Sequence, residues 1–166
     1  VETAVLFLLV LGLPWWVLQS YGAGLADPLG WRSTLRTVLA QGHDIRYLGA
    51  LFLLTAALDL FIILARPDYA LTVLCVRPSG LWSVLAKAQS PTLHLVIGYG
   101  FLRLRRWSLV LYLVYAAFGV INALANFACF GYGRIRTVFL ISLLAFTAYV
   151  IWRRRCFVSI PLPQAL

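Results

Sequence analysis

The sequence predicts an all-α fold, a polytopic bundle of transmembrane helices, and three observations carry that expectation. Hydrophobic residues make up 63% of the chain and charged residues 11%, against about 25% charged in ordinary soluble domains, so most of the surface must face something other than water. The apolar residues gather in runs approaching the ~20 residues that cross a bilayer. The charges, 14 Lys+Arg against 5 Asp+Glu, fall in short clusters between those runs. That distribution is the positive-inside pattern of a membrane protein and argues against a nucleic-acid surface.

Residues 98–130, GYGFLRLRRWSLVLYLVYAAFGVINALANFACF, set the organisation. Arg103, Arg105 and Arg106 interrupt two apolar runs, and Trp107 opens the second. Arginine at the centre of a bilayer costs about 2.5 kcal/mol or more, so this knot belongs in a headgroup region. The flanking runs then form an antiparallel hairpin with a cytoplasmic turn. Arg153, Arg154 and Arg155 close the last apolar run and put the C-terminus on the same side.

Residues 1–24 read as an additional N-terminal transmembrane helix, bent near Pro14 and ending in Trp15, Trp16 and Tyr21. The small residues at Gly24-Leu25-Ala26 leave a signal peptide as the alternative. Residues 27–42 read as an interfacial amphipathic helix. Asp27 is its N-cap, Pro28 its first helical residue and Gly42 its stop, and Arg32 and Arg36 face away from Trp31, Leu35, Val38 and Leu39.

Residues 47–157 form the expected four-helix unit. Its first span, 47–65, contains Asp59 and is stopped by Arg66-Pro67-Asp68. Residues 69–76 are too short to cross. A helix capped by Ser79 follows, polar at Lys87, Gln89 and Pro91, and it is long enough only if Lys87 snorkels to the interface. The best span is 107–130; 131–136 is a polar turn, 138–152 the last span and 158–166 an extended tail. Five spans put Arg32, Arg36, Arg46, Arg103, Arg105, Arg106, Arg153, Arg154 and Arg155 inside, nine of 14 basic residues. Four spans, with 92–102 kept at the surface, exchange the first three for Arg66, Arg77 and Lys87, so the positive-inside rule does not choose.

The order Gly98-Tyr-Gly-Phe-Leu-Arg-Leu-Arg-Arg-Trp107-Ser, then a span, a short turn, a second span and a basic end before Cys156-Phe157, resembles a broad group of small uncharacterised prokaryotic four-helix membrane proteins. The resemblance covers roughly residues 47–157. It implies that the helix before the motif crosses the membrane, giving five spans in a prokaryotic cytoplasmic membrane. It implies no activity.

Candidate sites follow from polar residues in apolar surroundings. Asp59 is the only acid within an apolar run, and an intramembrane acid is a functional candidate or a hydrogen-bonded tie between helices. With five spans, equal depth below the helix ends pairs it with Asn122 or Asn126; with four spans it sits nearer the level of Tyr112 and Tyr115. Tyr112, Tyr115, Ala116, Gly119, Asn122, Ala123 and Asn126 share one helical stripe, a packing face, with Leu113 and Val120 opposite it toward lipid. His94 lies in an apolar helix as a structural histidine or, less simply, a pigment or haem ligand; His43 lies near Asp44 and Arg46. Cys75, Cys129 and Cys156 lack metal-ligand spacing and read as isolated small apolar residues.

No catalytic residue, metal or required cofactor is assigned, because no Ser/His/Asp set, phosphate-cradling loop or carboxylate pair is present in the sequence. The expected partners are lipid and other integral membrane subunits. The chain accordingly reads as a non-catalytic accessory or scaffold subunit of a membrane complex, with a small proton- or ion-linked transporter using Asp59 as the alternative.

Overall fold

The computed structural model describes residues 36–37, 39–66 and 71–158. The chain divides into two compact units, Val1–Asp44 and Ile45–Leu166. The expected first span, the signal-peptide alternative, Arg32 and the C-terminal tail lie outside the described residues. Of the first unit, the end of the segment expected to be interfacial is described: Arg36, Thr37, Leu39 and Ala40 are helical, Arg36 is exposed, and Gly42 has φ +68°.

The described helices are α1 (His43–Ala65), all but its first two residues in the second unit, then α2 (Gly80–Leu102), α3 (Arg106–Phe130), α4 (Arg134–Trp152) and a 3₁₀ turn over Arg154–Val158. α1 begins before the expected residue 47, and Arg134 and Arg136 join α4, so the polar turn before α4 is shorter than 131–136. α2 runs unbroken through Pro91. Proline deprives the preceding turn of a donor; nearby, the Thr92 hydroxyl donates to the Ala88 carbonyl at 2.7 Å. Ser79 occupies the N-cap position of α2 but its side chain makes no capping bond.

The helices alternate in direction. Gly49, early in α1, lies against Gly98 and Leu102 near the end of α2. α3 packs between α2 and α4, and Phe157 of the 3₁₀ turn meets Phe101 with ring centroids 5.1 Å apart. One end of the unit therefore carries the turn at residues 103–105 and the 153–155 arginines, and the other carries residues 71–76 and the α3–α4 turn. The core between them is aromatic: Phe52 makes edge contacts with His94, Phe101, Tyr112 and Phe146 at centroid distances of 5.3–5.9 Å.

Two of these helices, α1 and α3, are long and apolar enough to cross a membrane. Only 11% of the apolar window of α1 and 28% of that of α3 is buried, whereas the core helix of a water-soluble protein hides most of such a window. α2 has the length, 23 residues or about 35 Å at 1.5 Å per residue, but its first half is polar.

The turn between α2 and α3 explains the Gly-Tyr-Gly and Trp-Ser residues around the arginines. A Cβ on Gly100 would collide with the Cβ of Ser108, and Ser108 is fully buried, its hydroxyl donating to the Arg105 carbonyl at 2.6 Å. The Gly100 carbonyl accepts from Arg105 N at 2.9 Å. Leu104 turns inward at φ +50° and is buried, while Arg103, Arg105 and Arg106 stay exposed.

The predicted α3 stripe faces the protein. Tyr112, Ala116, Ala123 and Asn126 are buried, and Tyr115, Gly119 and Asn122 are partly so. Leu113 and Val120, expected to face lipid, instead pack against the core. α3 has neighbours on two sides, so its buried arc is wider than one stripe, and the outward residues are Val110, Val114, Ile121 and Leu124. The cysteine reading is corrected as well: Cys75 and Cys129 form a disulfide across 54 residues of sequence. Spacing along the chain gave no hint of it because the pairing is made by tertiary folding.

Candidate functional site

Asp59, six residues before the end of α1, does not reach Asn122 or Asn126. Its Oδ2 accepts from Ser90 Oγ at 2.6 Å and lies 3.2 Å from His94 Nδ1, both on α2. On the other side of the imidazole, His94 Nε2 is 2.8 Å from the Tyr115 hydroxyl on α3. The pairing expected with five spans failed because it equated the heights of helix ends, whereas the level of Tyr115 is the one expected with four. The helix contacts put Asp59 at the level of Tyr115; Asn122 lies seven residues further along α3, about 10 Å by helical rise, where it serves a different structure.

Hydrogen-bond capacity fixes much of the chemistry. Thr55 Oγ1 donates to the Phe52 carbonyl at 2.9 Å, so at 3.4 Å from His94 Nδ1 it serves only as an acceptor. Asp59 as a carboxylate also only accepts. Nδ1 therefore carries a proton, shared between Asp59 and Thr55. In the neutral imidazole Nε2 then accepts from the Tyr115 O–H; in the imidazolium it donates to the Tyr115 oxygen. Asp59, His94 and Tyr115 thus form a continuous chain across α1, α2 and α3 with one proton position that can be filled or emptied.

The surroundings are apolar and aromatic. The Phe52 and Tyr115 rings stand edge-on to the imidazole at centroid distances of 5.3 and 5.4 Å. The His94 side chain is 12% exposed and that of Asp59 31% exposed, so the carboxylate is the end of the chain nearest the surface. Both nitrogens of His94 are engaged within the unit, so a pigment or haem metal on either one would have to displace Asp59 and Thr55 or Tyr115. His43 belongs to the other unit, where its Nε2 pairs with Gln41 Oε1 at 2.8 Å. Among the described residues no group of three or more His, Cys, Asp or Glu could hold a metal ion.

Sequence reasoning singled out Asp59, His94 and Tyr115 separately but missed Ser90 and Thr55. The available signal was the i, i+4 spacing of Ser90 and His94, which puts both on one face of α2. Asn122 and Asn126, placed on a packing face, bind backbone instead. Asn122 Oδ1 accepts from Leu74 N at 2.8 Å and Asn126 Oδ1 from Cys75 N at 3.1 Å. The basic residues flank the ends: Arg103 lies over the Tyr99 ring and Arg153 over Trp152, and Arg154, Arg155 and Trp107 are exposed. No protein-family profile matches this chain, and comparison with curated proteins and with solved structures found no match.

Proposed function

We propose that this chain is a small integral membrane protein of a prokaryotic cytoplasmic membrane, in which Asp59, His94 and Tyr115 form the proton-binding site of a proton- or ion-linked carrier. The observation that carries this reading is the joining of three ionisable side chains, from three helices, in apolar surroundings. Neutral side chains suffice to tie membrane helices together. An acid and an imidazole cost more to bury, and inside membranes such groups mark proton and ion paths.

Four crossings by α1–α4 are supported by the exposed apolar sides of all four helices and by exposed aromatic residues at both ends, Trp107 and Trp152 at one and Trp82 and Tyr132 at the other. The orientation rests on two independent features. Arg46, Arg103, Arg105, Arg106, Arg153, Arg154 and Arg155 lie at one end, against Arg66, Arg77, Lys87, Arg134 and Arg136 at or toward the other. The Cys75–Cys129 disulfide sits at the second end, and disulfides persist in oxidising compartments. The arginine-turn end, with the C-terminus, is therefore cytoplasmic.

The proton site is tested by infrared difference spectroscopy on the purified protein between acidic and alkaline buffer. Wild type should show carboxyl and imidazole bands that shift with pH, and Asp59→Asn should remove the carboxyl component and displace the imidazole one. Identical difference spectra for wild type and Asp59→Asn would sink the reading. One observation favours a second reading, the accessory subunit: the exposed edge of Asp59 lies on the outer surface of the unit, where a helix of another membrane subunit would complete its burial. In that case the Asp59 bands would change when the native partner co-purifies.

A further inference from the structure

The chemistry at Asp59 leaves the end of the unit that carries residues 71–76 unexplained. Residues 71–76 fold there into a closed turn in which Val73 and Val76 exchange backbone hydrogen bonds, each 2.9 Å. Leu74 and Cys75 both adopt positive φ, 47° and 69°. Three side-chain bonds seat this turn on α3: the two asparagine acceptors already described, and Asn126 Nδ2 donating to the Thr72 carbonyl at 3.4 Å. The turn is thereby held where Cys75 meets Cys129. The Cys75 sulfur also lies 3.1 Å from the Ala125 carbonyl, an acceptor for its S–H in the reduced state.

The two cysteines are not equivalent. Cys129 is exposed in the last turn of α3, whereas Cys75 is partly buried in the seated turn. Cys156, the third cysteine, is a thiol in the 3₁₀ turn at the arginine end. One chain therefore carries a disulfide at one end and a thiol at the other, as expected if the ends face oxidising and reducing compartments.

We propose that the end bearing Cys129 is a docking point for an extracytosolic dithiol–disulfide oxidase, which installs the Cys75–Cys129 bond by exchange. The Cys129 thiolate attacks one sulfur of the partner's disulfide, forming a mixed disulfide and expelling the partner's second sulfur as a thiolate. The Cys75 thiolate, positioned by Asn122 and Asn126, then attacks the Cys129 sulfur and releases the partner's first sulfur. Two thiols of this chain are oxidised and the partner's disulfide is reduced to a dithiol, which takes up the two protons. Exposure selects Cys129 for the first step, because an incoming protein reaches it without unseating the turn.

The proposal rests on the orientation given above but not on the proton site, whose infrared signal is read on purified protein whatever its topology. The full chain is expressed in a bacterial host with and without its periplasmic dithiol oxidase. Thiols are trapped with acid soon after a synthesis pulse and counted under denaturing conditions by the gel shift from a polymer-linked maleimide. One addition, at Cys156, is expected with the oxidase and three without it. Three additions in both hosts, or one in both, would overturn the proposal. In the oxidase-containing host, Cys75→Ala should accumulate a reductant-sensitive adduct with the oxidase at least several-fold above Cys129→Ala. Equal adduct in the two variants would also overturn it, and the count on the unmodified chain stands even if a variant folds poorly.

Discussion

The two ends of the helical unit make their turns by different means. At the arginine end, residues 103–105 connect α2 to α3 with short backbone bonds, one inward leucine at positive φ, and a glycine whose missing side chain admits Ser108. Every partner lies within about two turns of sequence. At the other end, the connection from α1 to α2 is held to α3 by residues 48–54 positions away: Leu74 to Asn122, Cys75 to Asn126, Thr72 to Asn126, and the disulfide. A local turn can form as soon as its own residues are made. A connection anchored at long range needs the helices assembled first, and here it gains side-chain hydrogen bonds and a covalent link.

The sharpest test of this contrast uses glycines at which neighbouring helices meet. A Cβ on Gly98 would lie 2.9 Å from the Gly49 carbonyl oxygen, a backbone atom that can move only by parting α1 from α2. Gly98→Leu should therefore cost about 3 kcal/mol, the upper part of the overpacking range, read as a shift in the denaturant midpoint of the purified protein in detergent micelles. Gly119→Leu meets only the tip of the Leu143 side chain, at 2.9 Å, and should cost about 1 kcal/mol, since a leucine rotamer can yield. Equal losses would mean that α1 and α2 part easily.

The anchored end gives the next effect. Asn126 is buried, with bonds to Cys75 N and the Thr72 carbonyl and a contact to Asn122. Asn126→Ala should cost about 2 kcal/mol by leaving these groups unpaired. If asparagines and disulfide hold the same turn, the loss should be larger in a Cys75→Ala background than in the wild type. A simple additive outcome would mean that the disulfide constrains something other than the seated turn.

How far the sequence disclosed the molecule follows the same division. The hairpin at the arginines was legible because insertion cost acts on neighbouring residues, and the α3 stripe because helical periodicity repeats every few residues. The start of α2 at Gly80 was readable from Pro78-Ser79, although Ser79 caps only by position. Gly98 and Gly100 were visible within a motif, but their reasons, Gly49 on another helix and Ser108 beyond the turn, were not. The candidate site was half legible. Asp59 and His94 stood out as polar residues in apolar runs, but the relative heights of helices depend on where their contacts fall, and equal distance from the helix ends misdirected Asp59 toward the asparagines. The disulfide carried no local signal at all.

The smallest predicted effect examines the face between α3 and α4. Tyr112 is fully buried, and its hydroxyl lies 2.9 Å from Thr147 Oγ1 on α4. Thr147 Oγ1 in turn lies 2.7 Å from the Leu143 carbonyl, which can only accept, so the threonine proton points there and Tyr112 is the donor to Thr147. The two ends of this bond are therefore unequal. Tyr112→Phe removes a donor and leaves Thr147 still bonded to Leu143, which should cost about 0.6 kcal/mol, the average measured for hydrogen bonds between membrane helices. Thr147→Val removes the acceptor and strands a buried phenol, which should cost about 1–2 kcal/mol. Measured by the same denaturant titration, the valine variant should be the less stable of the two. The reverse order would mean that Tyr112 accepts rather than donates, and that the threonine does not back-bond to its own helix.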